Sequence, residues 1–296
     1  MSMGFESFDG VNIIGFNSRE WYVANLGTMA AGGVSSGIYV TNLPDACQYI
    51  SQHSKAKVVV CEGTKQLQKY IEIGGSLPSL KAIVVYGPDV PSQTMKDQCA
   101  VPVYTFDEFL RLGSTVSDAD RKARTDSIQP NQVCTLIYTS GTTGPPKAVM
   151  ITHDNITWTV HALLKSAVPD GLVGPTDCGV SYLPLSHIAA QILDIYLAME
   201  RGSQAYFAQP DALKGSLIVT LKEVRPTVFF GVPRVWEKIY GTSESRNDNV
   251  FVYVYSGEYE CSRSFCLVVN ATHTRLSLTV LFLHMLIPSL MNGIPS

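Results

Sequence analysis

The sequence has no block of lysine and arginine, and its 22 basic residues are outnumbered by 25 acidic ones, for a formal net charge of -3. A surface that neutralises a phosphodiester backbone needs a basic excess, so nucleic acid is not expected as a partner. None of the seven cysteines forms a Cys-x-x-Cys pair, which favours a reducing compartment, the cytoplasm. The opening residues MSMGFESFDG lack a basic region followed by an apolar run, so no secretory signal is expected. The sequon Asn270-Ala271-Thr272 is therefore discounted as a glycosylation site. Long apolar runs are also scarce. Leu276 to Ser296 carries no Asp, Glu, Lys or Arg, yet its most apolar part, Leu276 to Met291, is interrupted by His284 and Pro288. It falls short of the roughly 20 apolar residues that a membrane span requires, and it reads as a buried or aggregation-prone tail.

What is present is globular in composition. With 296 residues, 46% hydrophobic and 16% charged, the chain can bury one large core or two modest ones. Short apolar runs alternate with helical patterns. "VNIIGFN" predicts a buried strand, Ser18 a helix cap, and "REWYVANLGTMAAGG" a helix ending at Gly32 and Gly33. "SGIYV" then precedes "PDACQYISQHS", with Pro44 suited to a first helical turn. "AKVVVC", "KQLQKYIEI", "KAIVVYG" and "VPVYTFDEFLRLG" continue the rhythm. Strand and helix at this pitch predict an α/β fold of repeated βαβ units around mostly parallel sheets.

The spacing predicts a first α/β subdomain over 1–112, a polar surface connection over 113–132, and a second subdomain over 133–240. The second set comprises strands at "VCTLIYT", "KAVMIT", "CGVSYLP", "QAYFA" and "TVFFGV", with helices at "DNITWTVHALLKS", "HIAAQILDIYLAMERG" and within "DALKGSLIVTLKEV". "PRVWEKIY" begins a further helix with Val235, Ile239 and Tyr240 on its apolar side. Residues 241–296 show neither a helical period nor the βα rhythm and read as a divergent tail.

The densest chemistry lies in "TSGTTGPPK", residues 139 to 147, where nine residues hold four hydroxyls, two glycines and one lysine. Gly141 and Gly144 allow the backbone to turn N–H groups inward, Thr139, Ser140, Thr142 and Thr143 add hydroxyl donors, and Lys147 adds a positive charge. These parts suit a polyphosphate, and the alternative is an ordinary surface turn. A Walker A loop is disfavoured. It needs a helix at its Lys-Ser/Thr, whereas Pro145 and Pro146 lack N–H donors, Ala148 replaces the hydroxyl, and "AVMIT" predicts a strand.

"YTSGTTGPPKAVMITHDNI" resembles the phosphate-binding signature of the adenylate-forming (AMP-binding) superfamily, with Ala148 where the family normally has glycine. "SYLPLSHIAAQ" and "FFGVPRVWEKIY" are similar to segments of long-chain fatty acyl-CoA synthetases of the bubblegum type, and the resemblance runs from about Phe8 to Tyr240. It implies an incomplete adenylate-forming large N-terminal domain. It also implies ATP, Mg2+ and CoA as ligands and a long-chain fatty acid as substrate: the carboxylate attacks the α-phosphorus of ATP, and CoA thiolate then displaces AMP. The same resemblance assigns Thr139, Ser140, Gly141, Thr142, Thr143, Gly144 and Lys147 to the β and γ phosphates. It places His187 near the reacting carboxylate, as an orienting rather than a basic group, and Trp236 at the acyl tunnel. Peripheral contact with endoplasmic-reticulum membrane follows from the lipid substrates. For Trp236 core packing is an equal alternative; for Trp21 and Trp158 core or surface packing is expected. His153 is expected to start a helix with Asp154 and Asn155.

The family's later motifs are not found: no Tyr-Gly-x-Thr/Ser-Glu for adenine, no Thr-Gly-Asp for ribose, no domain with the catalytic lysine. Family members also carry elements before "FDGVNIIGFNS". Two readings follow from the sequence. One is a chain of acid-thiol ligase ancestry with little or no autonomous activity; the other is a non-catalytic fragment that at most binds nucleotide phosphates.

Overall fold

Seven of the apolar runs bounded by turn formers pair into one sheet. The computed structural model describes residues 1–139, 145–166, 173–232, 234–235 and 266–269. The chain divides by contacts into two units. The first comprises Met1–Trp158 with Leu183–Gln191, the second Thr159–Tyr182 with Ile192–Ser296.

In the first unit the strands are β1 (Gly10–Ile14), β2 (Val34–Ile38), β3 (Ala56–Glu62), β4 (Ala82–Tyr86), β5 (Val103–Thr105), β6 (Val133–Thr139) and β7 (Lys147–Thr152). Helices α1 (Arg19–Ala30), α2 (Pro44–His53), α3 (Gly63–Ile73), α4 (Gln93–Asp97), α5 (Phe106–Leu112) and α6 (Asp118–Asp126) follow them along the chain, and α7 (His153–Ser166) starts in this unit and runs past its last residue, Trp158. The strand order is β5-β4-β3-β1-β2-β6-β7. Every neighbouring pair is parallel except β6 with β7. A parallel sheet buries both faces, and β1, β2 and β4 are accordingly buried at every residue. β7, at the edge, has a mixed pattern, with Val149 and Met150 exposed.

Local chemistry starts the helices where the sequence placed them. The Ser18 hydroxyl accepts the Trp21 N–H at 3.1 Å and caps α1, and Pro44 opens α2. At α7 the cap is Thr152. Its Oγ1 accepts the Asn155 N–H at 3.1 Å while Asn155 Oδ1 accepts the Thr152 N–H at 3.0 Å, a reciprocal arrangement of the capping-box kind. Trp21 is a core residue, 1% exposed, and Trp158 is a surface residue. One side of the sheet is filled by Ile14, Ile38, Ile50, Val59, Leu67, Tyr70 and Ile83, with Tyr138 and, partly buried, Ala148 at the margin.

Two expectations about organisation are corrected. The stretch 113–132 does not separate two sheets, because β6, beyond it, pairs in parallel with β2 through Ser35↔Thr135 and Ser36↔Leu136. Nor is that stretch merely a connection: it contains the nine-residue α6, capped by Ser117 and laced by Lys122–Asp126 and Arg121–Asp118 ion pairs. None of its residues is buried, so it has no apolar stripe by which a helix is recognised. It has a use all the same. Arg124 donates to Ala31 O at 3.0 Å and Thr125 to Ala30 O at 3.4 Å, satisfying carbonyls that the end of α1 leaves open.

The second unit holds β8 (Cys178–Ser181), β9 (Gln204–Phe207), β10 (Val228–Gly231) and β11 (Cys266–Val269), in the order β11-β10-β8-β9. β8 is parallel to both β9 and β10, and β11 runs antiparallel to β10. The expected helix over "HIAAQILDIYLAMERG" forms as α8 (Ile188–Ala190), a π-helical segment Gln191–Leu197, and α9 (Ala198–Arg201). Helix α10 spans Leu217–Val224. β11 lies inside the stretch expected to be a tail without rhythm. Most of 241–296, including the apolar Leu276 to Met291, is outside the described residues. Among the described residues no helix is long and apolar enough to cross a membrane.

Candidate functional site

The loop singled out by composition is carried on a β-hairpin. In the antiparallel register of β6 and β7, Tyr138 faces Ala148 and Thr139 faces Lys147. Successive side chains of a strand point to opposite faces, so the two pairs divide the work. Tyr138 is 6% exposed and Ala148 packs against the core cluster, while Thr139 and Lys147 are exposed. The loop is thus anchored by one pair at its base and presents the other to solvent, on neighbouring strands where facing side chains are about 5 Å apart. Ala148, the departure from the family signature, adds its methyl on the buried side. Lys147 begins a strand, not a helix, so the Walker A geometry is ruled out as expected. Among the described residues Lys147 makes no ion pair. Ser140, Gly141, Thr142, Thr143 and Gly144 lie outside the described residues, as does Trp236.

His187 belongs to a short segment, Leu183–Gln191, that is part of the first unit. Three contacts seat it and a fourth braces it from within. Asn17, just past β1, donates to Leu183 O at 2.8 Å. Gly37 of β2 lies directly under Ser186, so close that a Cβ there would stand 2.7 Å from the Ser186 Cα. Tyr39 shares a hydrogen bond with Ser186, and the buried Gln191 donates to Leu185 O at 2.7 Å. Asn17, Tyr39 and Thr139 follow or end the parallel strands β1, β2 and β6. The His187 segment and the feet of the hairpin loop therefore belong to the carboxyl edge of one sheet, where open α/β folds gather ligands.

The His187 ring is held in a defined state. Its Nδ1 accepts the Ala189 N–H at 3.1 Å, which leaves the proton of a neutral ring on Nε2. Desolvation lowers its pKa, although the residue as a whole keeps solvent contact. Both effects favour the neutral ring at pH 7, which has one donor, Nε2–H, and no free basic nitrogen. That suits orienting an anionic group better than removing a proton.

The supporting residues Asn17, Gly37, Tyr39 and Gln191 were not singled out from sequence. Asn17 had a readable signal, a polar residue directly after the apolar run of β1; Gly37 and Tyr39 gain meaning only from the placement of a segment some 150 residues away, and Gln191 from the turn within that segment.

The second unit has its own polar cluster. Asp194, in the π-helical segment, accepts from the Ser181 hydroxyl at 2.7 Å and lines a cavity of about 50 Å³ with Cys178, Ser203, Gln204 and Phe230. Burial raises its carboxyl to about 7, against the lowering effect of Ser181. An ordinary aspartate loses its proton near pH 4. Between about pH 4 and 7 the folded unit thus binds more protons than the unfolded chain, so stability falls as pH rises through that window and levels off above it. Asp194→Asn keeps an acceptor for Ser181 and is expected to flatten this fall. Urea midpoints at about pH 5 and pH 8 for both proteins check the difference. Among the described residues no group of His, Cys, Asp and Glu is placed to hold a metal ion.

Comparison with known proteins fits this geometry. The family described as AMP-binding enzyme matches residues 1–276, a span that runs past the Tyr240 limit of the sequence resemblance. The Long-chain-fatty-acid--CoA ligase ACSBG2 of Xenopus laevis is 50% identical over 239 residues, covering 81% of this chain and 32% of that protein. The Long-chain-fatty-acid--CoA ligase ACSBG1 of Mus musculus is 48% identical over 239 residues, again 81% of this chain and 32% of the relative. The chain therefore spans about a third of the length of these curated relatives. Among solved structures, the A domain of carboxylic acid reductase from Segniliparus rugosus, in complex with AMP and a co-purified carboxylic acid, superposes with a TM-score of 0.63 at 21% identity, covering 86% of this chain and 41% of that one. That likeness concerns the fold, the largely parallel α/β sheet built by the N-terminal part of adenylate-forming enzymes. By the span of its family match, this chain belongs to the AMP-binding enzyme family.

Proposed function

We propose that the chain is a long-chain fatty acid CoA ligase-like protein whose β6–β7 hairpin binds the polyphosphate of ATP. The observation that carries the reading is the pairing of Thr139 with Lys147 at the mouth of a glycine- and hydroxyl-rich loop. Thr139, Ser140, Gly141, Thr142, Thr143, Gly144 and Lys147 would hold the β and γ phosphates, with Mg2+ as counter-charge. His187 would present its Nε2–H to the fatty carboxylate, and Trp236 would line the acyl tunnel. The carboxylate oxygen then bonds to the α-phosphorus and pyrophosphate leaves; CoA sulfur next bonds to the acyl carbon and AMP leaves. Alignment and charge neutralisation supply most of the acceleration in such transfers. A lipid substrate would bring a cytoplasmic protein into peripheral contact with the endoplasmic-reticulum membrane.

A second reading keeps the phosphate site without turnover. It is favoured by coverage, since the chain spans about a third of the length of its curated relatives. Fatty-acid-dependent exchange of labelled pyrophosphate into ATP separates the two. Exchange by the full chain that disappears in Lys147→Ala supports adenylation by these residues; a folded sample that binds ATP but shows no exchange supports the non-catalytic reading.

A further inference from the structure

We propose that Glu62 and Tyr86 are positioning residues for His187 and act on it through Asn17. This rests on the reading of His187 as the group that orients the fatty carboxylate, and it deepens that reading by naming what holds the histidine's segment in place. Glu62 ends β3 and Tyr86 ends β4, and both close on the backbone of one residue, Phe16. Glu62 Oε2 accepts the Phe16 N–H at 2.6 Å, and the Tyr86 hydroxyl donates to Phe16 O at 3.4 Å. Tyr86 also shares a hydrogen bond with Ser18, whose hydroxyl accepts the Trp21 N–H at the start of α1. Gly15 makes the approach possible. A Cβ there would collide with the Tyr86 hydroxyl and stand 2.8 Å from Glu62 Cβ.

Ordinary roles do not account for this geometry. A polar residue directly before a helix usually caps it, yet Glu62 makes no side-chain bond to α3 and turns instead to the stretch after β1. Tyr86 is 5% exposed, and a phenylalanine would fill its space without tying Phe16 and Ser18. Asn17 lies between those two gripped residues. It is 4% exposed, and its Nδ2 donates to Leu183 O at 2.8 Å. Leu183 leads directly into the turn in which the His187 N–H donates to Pro184 O at 3.0 Å. The backbone of Phe16 and Ser18 thus sets where the Asn17 amide stands, the amide sets where the turn begins, and the turn sets the His187 ring. An orienting group has to be held to about 0.5 Å by neighbours whose own places are fixed, and the clamp on Phe16 supplies that support from the centre of the sheet.

The test combines calorimetric binding of dodecanoate to the full-length chain, NMR titration of its histidine rings, and thermal melting of the same unliganded samples. Glu62→Ala and Asn17→Ala are expected to bind about 5-fold more weakly, the equivalent of one lost hydrogen bond near 1 kcal/mol. Tyr86→Phe, whose lost bond is longer, is expected to bind about twofold more weakly, and as the mildest change it carries the test where an alanine variant does not fold. Because the residues act in series, Glu62→Ala combined with Asn17→Ala is expected to stay within about twofold of Asn17→Ala alone. Glu62→Gln keeps the acceptor oxygen and is expected to bind within about twofold of the parent. Burial holds the His187 pKa below its ordinary value. Unseating the segment exposes the ring, so the titration should move up toward about 6.5 in Glu62→Ala and Asn17→Ala. Mere loss of the Glu62 charge would move it down. His187→Gln identifies the resonance and is the control for the site itself. If Glu62→Ala binds dodecanoate like the parent and leaves the His187 titration unmoved, while His187→Gln binds more weakly, the clamp is overturned and the role of His187 stands. If Glu62→Gln behaves like Glu62→Ala although it melts like the parent, the clamp is likewise overturned. If dodecanoate does not bind the parent, or binds His187→Gln equally, the reading of His187 fails and the clamp with it.

Discussion

Lys147→Ala is expected to weaken binding of ATP and pyrophosphate by between 10- and 100-fold while leaving the fold unchanged. The magnitude follows from the loss of one charge-assisted hydrogen bond to phosphate, about 1.5–3 kcal/mol. The selectivity follows from where the residue sits. Lys147 is exposed at the first position of an edge strand and makes no ion pair among the described residues, so its removal leaves no buried partner unsatisfied. Because the lysine is exposed, salt screens its attraction. Parent affinity should therefore fall as ionic strength rises, with a shallower dependence in Lys147→Ala. Lys147→Arg, which keeps the charge and changes its shape, should fall between the two. Calorimetry at low and physiological salt, with a denaturation curve for each protein, checks both parts.

Gly37→Val is expected to lower stability by about 1–3 kcal/mol, the usual cost of overpacking, and to unseat the His187 segment. A Cβ at position 37 would stand 2.7 Å from the Ser186 Cα, 3.1 Å from its Cβ and 3.2 Å from Trp21 Cζ2. The tryptophan is 1% exposed and cannot swing aside, and the Ser186 obstacle is backbone, which moves only with its whole segment. The element free to yield is Leu183–Gln191, which crosses the end of β2 on hydrogen bonds with Asn17 and Tyr39. Gly37→Val should accordingly speed amide exchange in that segment, abolish any activity that depends on His187, and leave pyrophosphate binding at the hairpin within a few-fold of the parent. Global unfolding with no folded fraction at room temperature would mean that the segment is a deeper part of the core than these contacts imply.

Much of the fold was legible because its strands are short, apolar and bounded by turn formers. The strands β1 to β7 all overlap runs set out as part of the strand–helix rhythm, although β2 starts two residues before its run "SGIYV", and Ser18 and Pro44 marked helix starts by their own chemistry. Helix α6 escaped because it buries nothing; its stability comes from its cap and its charge pairs, which leave no periodic apolar trace. The division into units escaped for a different reason. Alternation tells that strands are parallel but not which strand lies beside which, and β6 joins β2 across about a hundred residues of chain. The tail reading missed β11 because its four residues show strand character only beside β10.

The site divides in the same way. The composition of residues 139 to 147 marked out the candidate loop, and "AVMIT" correctly placed a strand after Lys147. What composition could not show is that the loop's chemistry and its anchorage lie on opposite faces of one hairpin. That depends on the register Thr139↔Lys147 and Tyr138↔Ala148, a property of pairing. His187 was named through resemblance; its neutral state and its Nε2–H donor come from the Ala189 N–H that Nδ1 accepts, a contact two residues away but dependent on the turn the backbone makes there.

Hydrogen–deuterium exchange of the full-length chain, with and without MgATP, tests most directly that the β6–β7 hairpin is where polyphosphate binds. The account predicts slowed exchange in peptides spanning residues 139 to 152, absent in Lys147→Ala. MgATP binding that leaves those peptides unchanged and protects the carboxyl ends of β1 and β3 instead would contradict it.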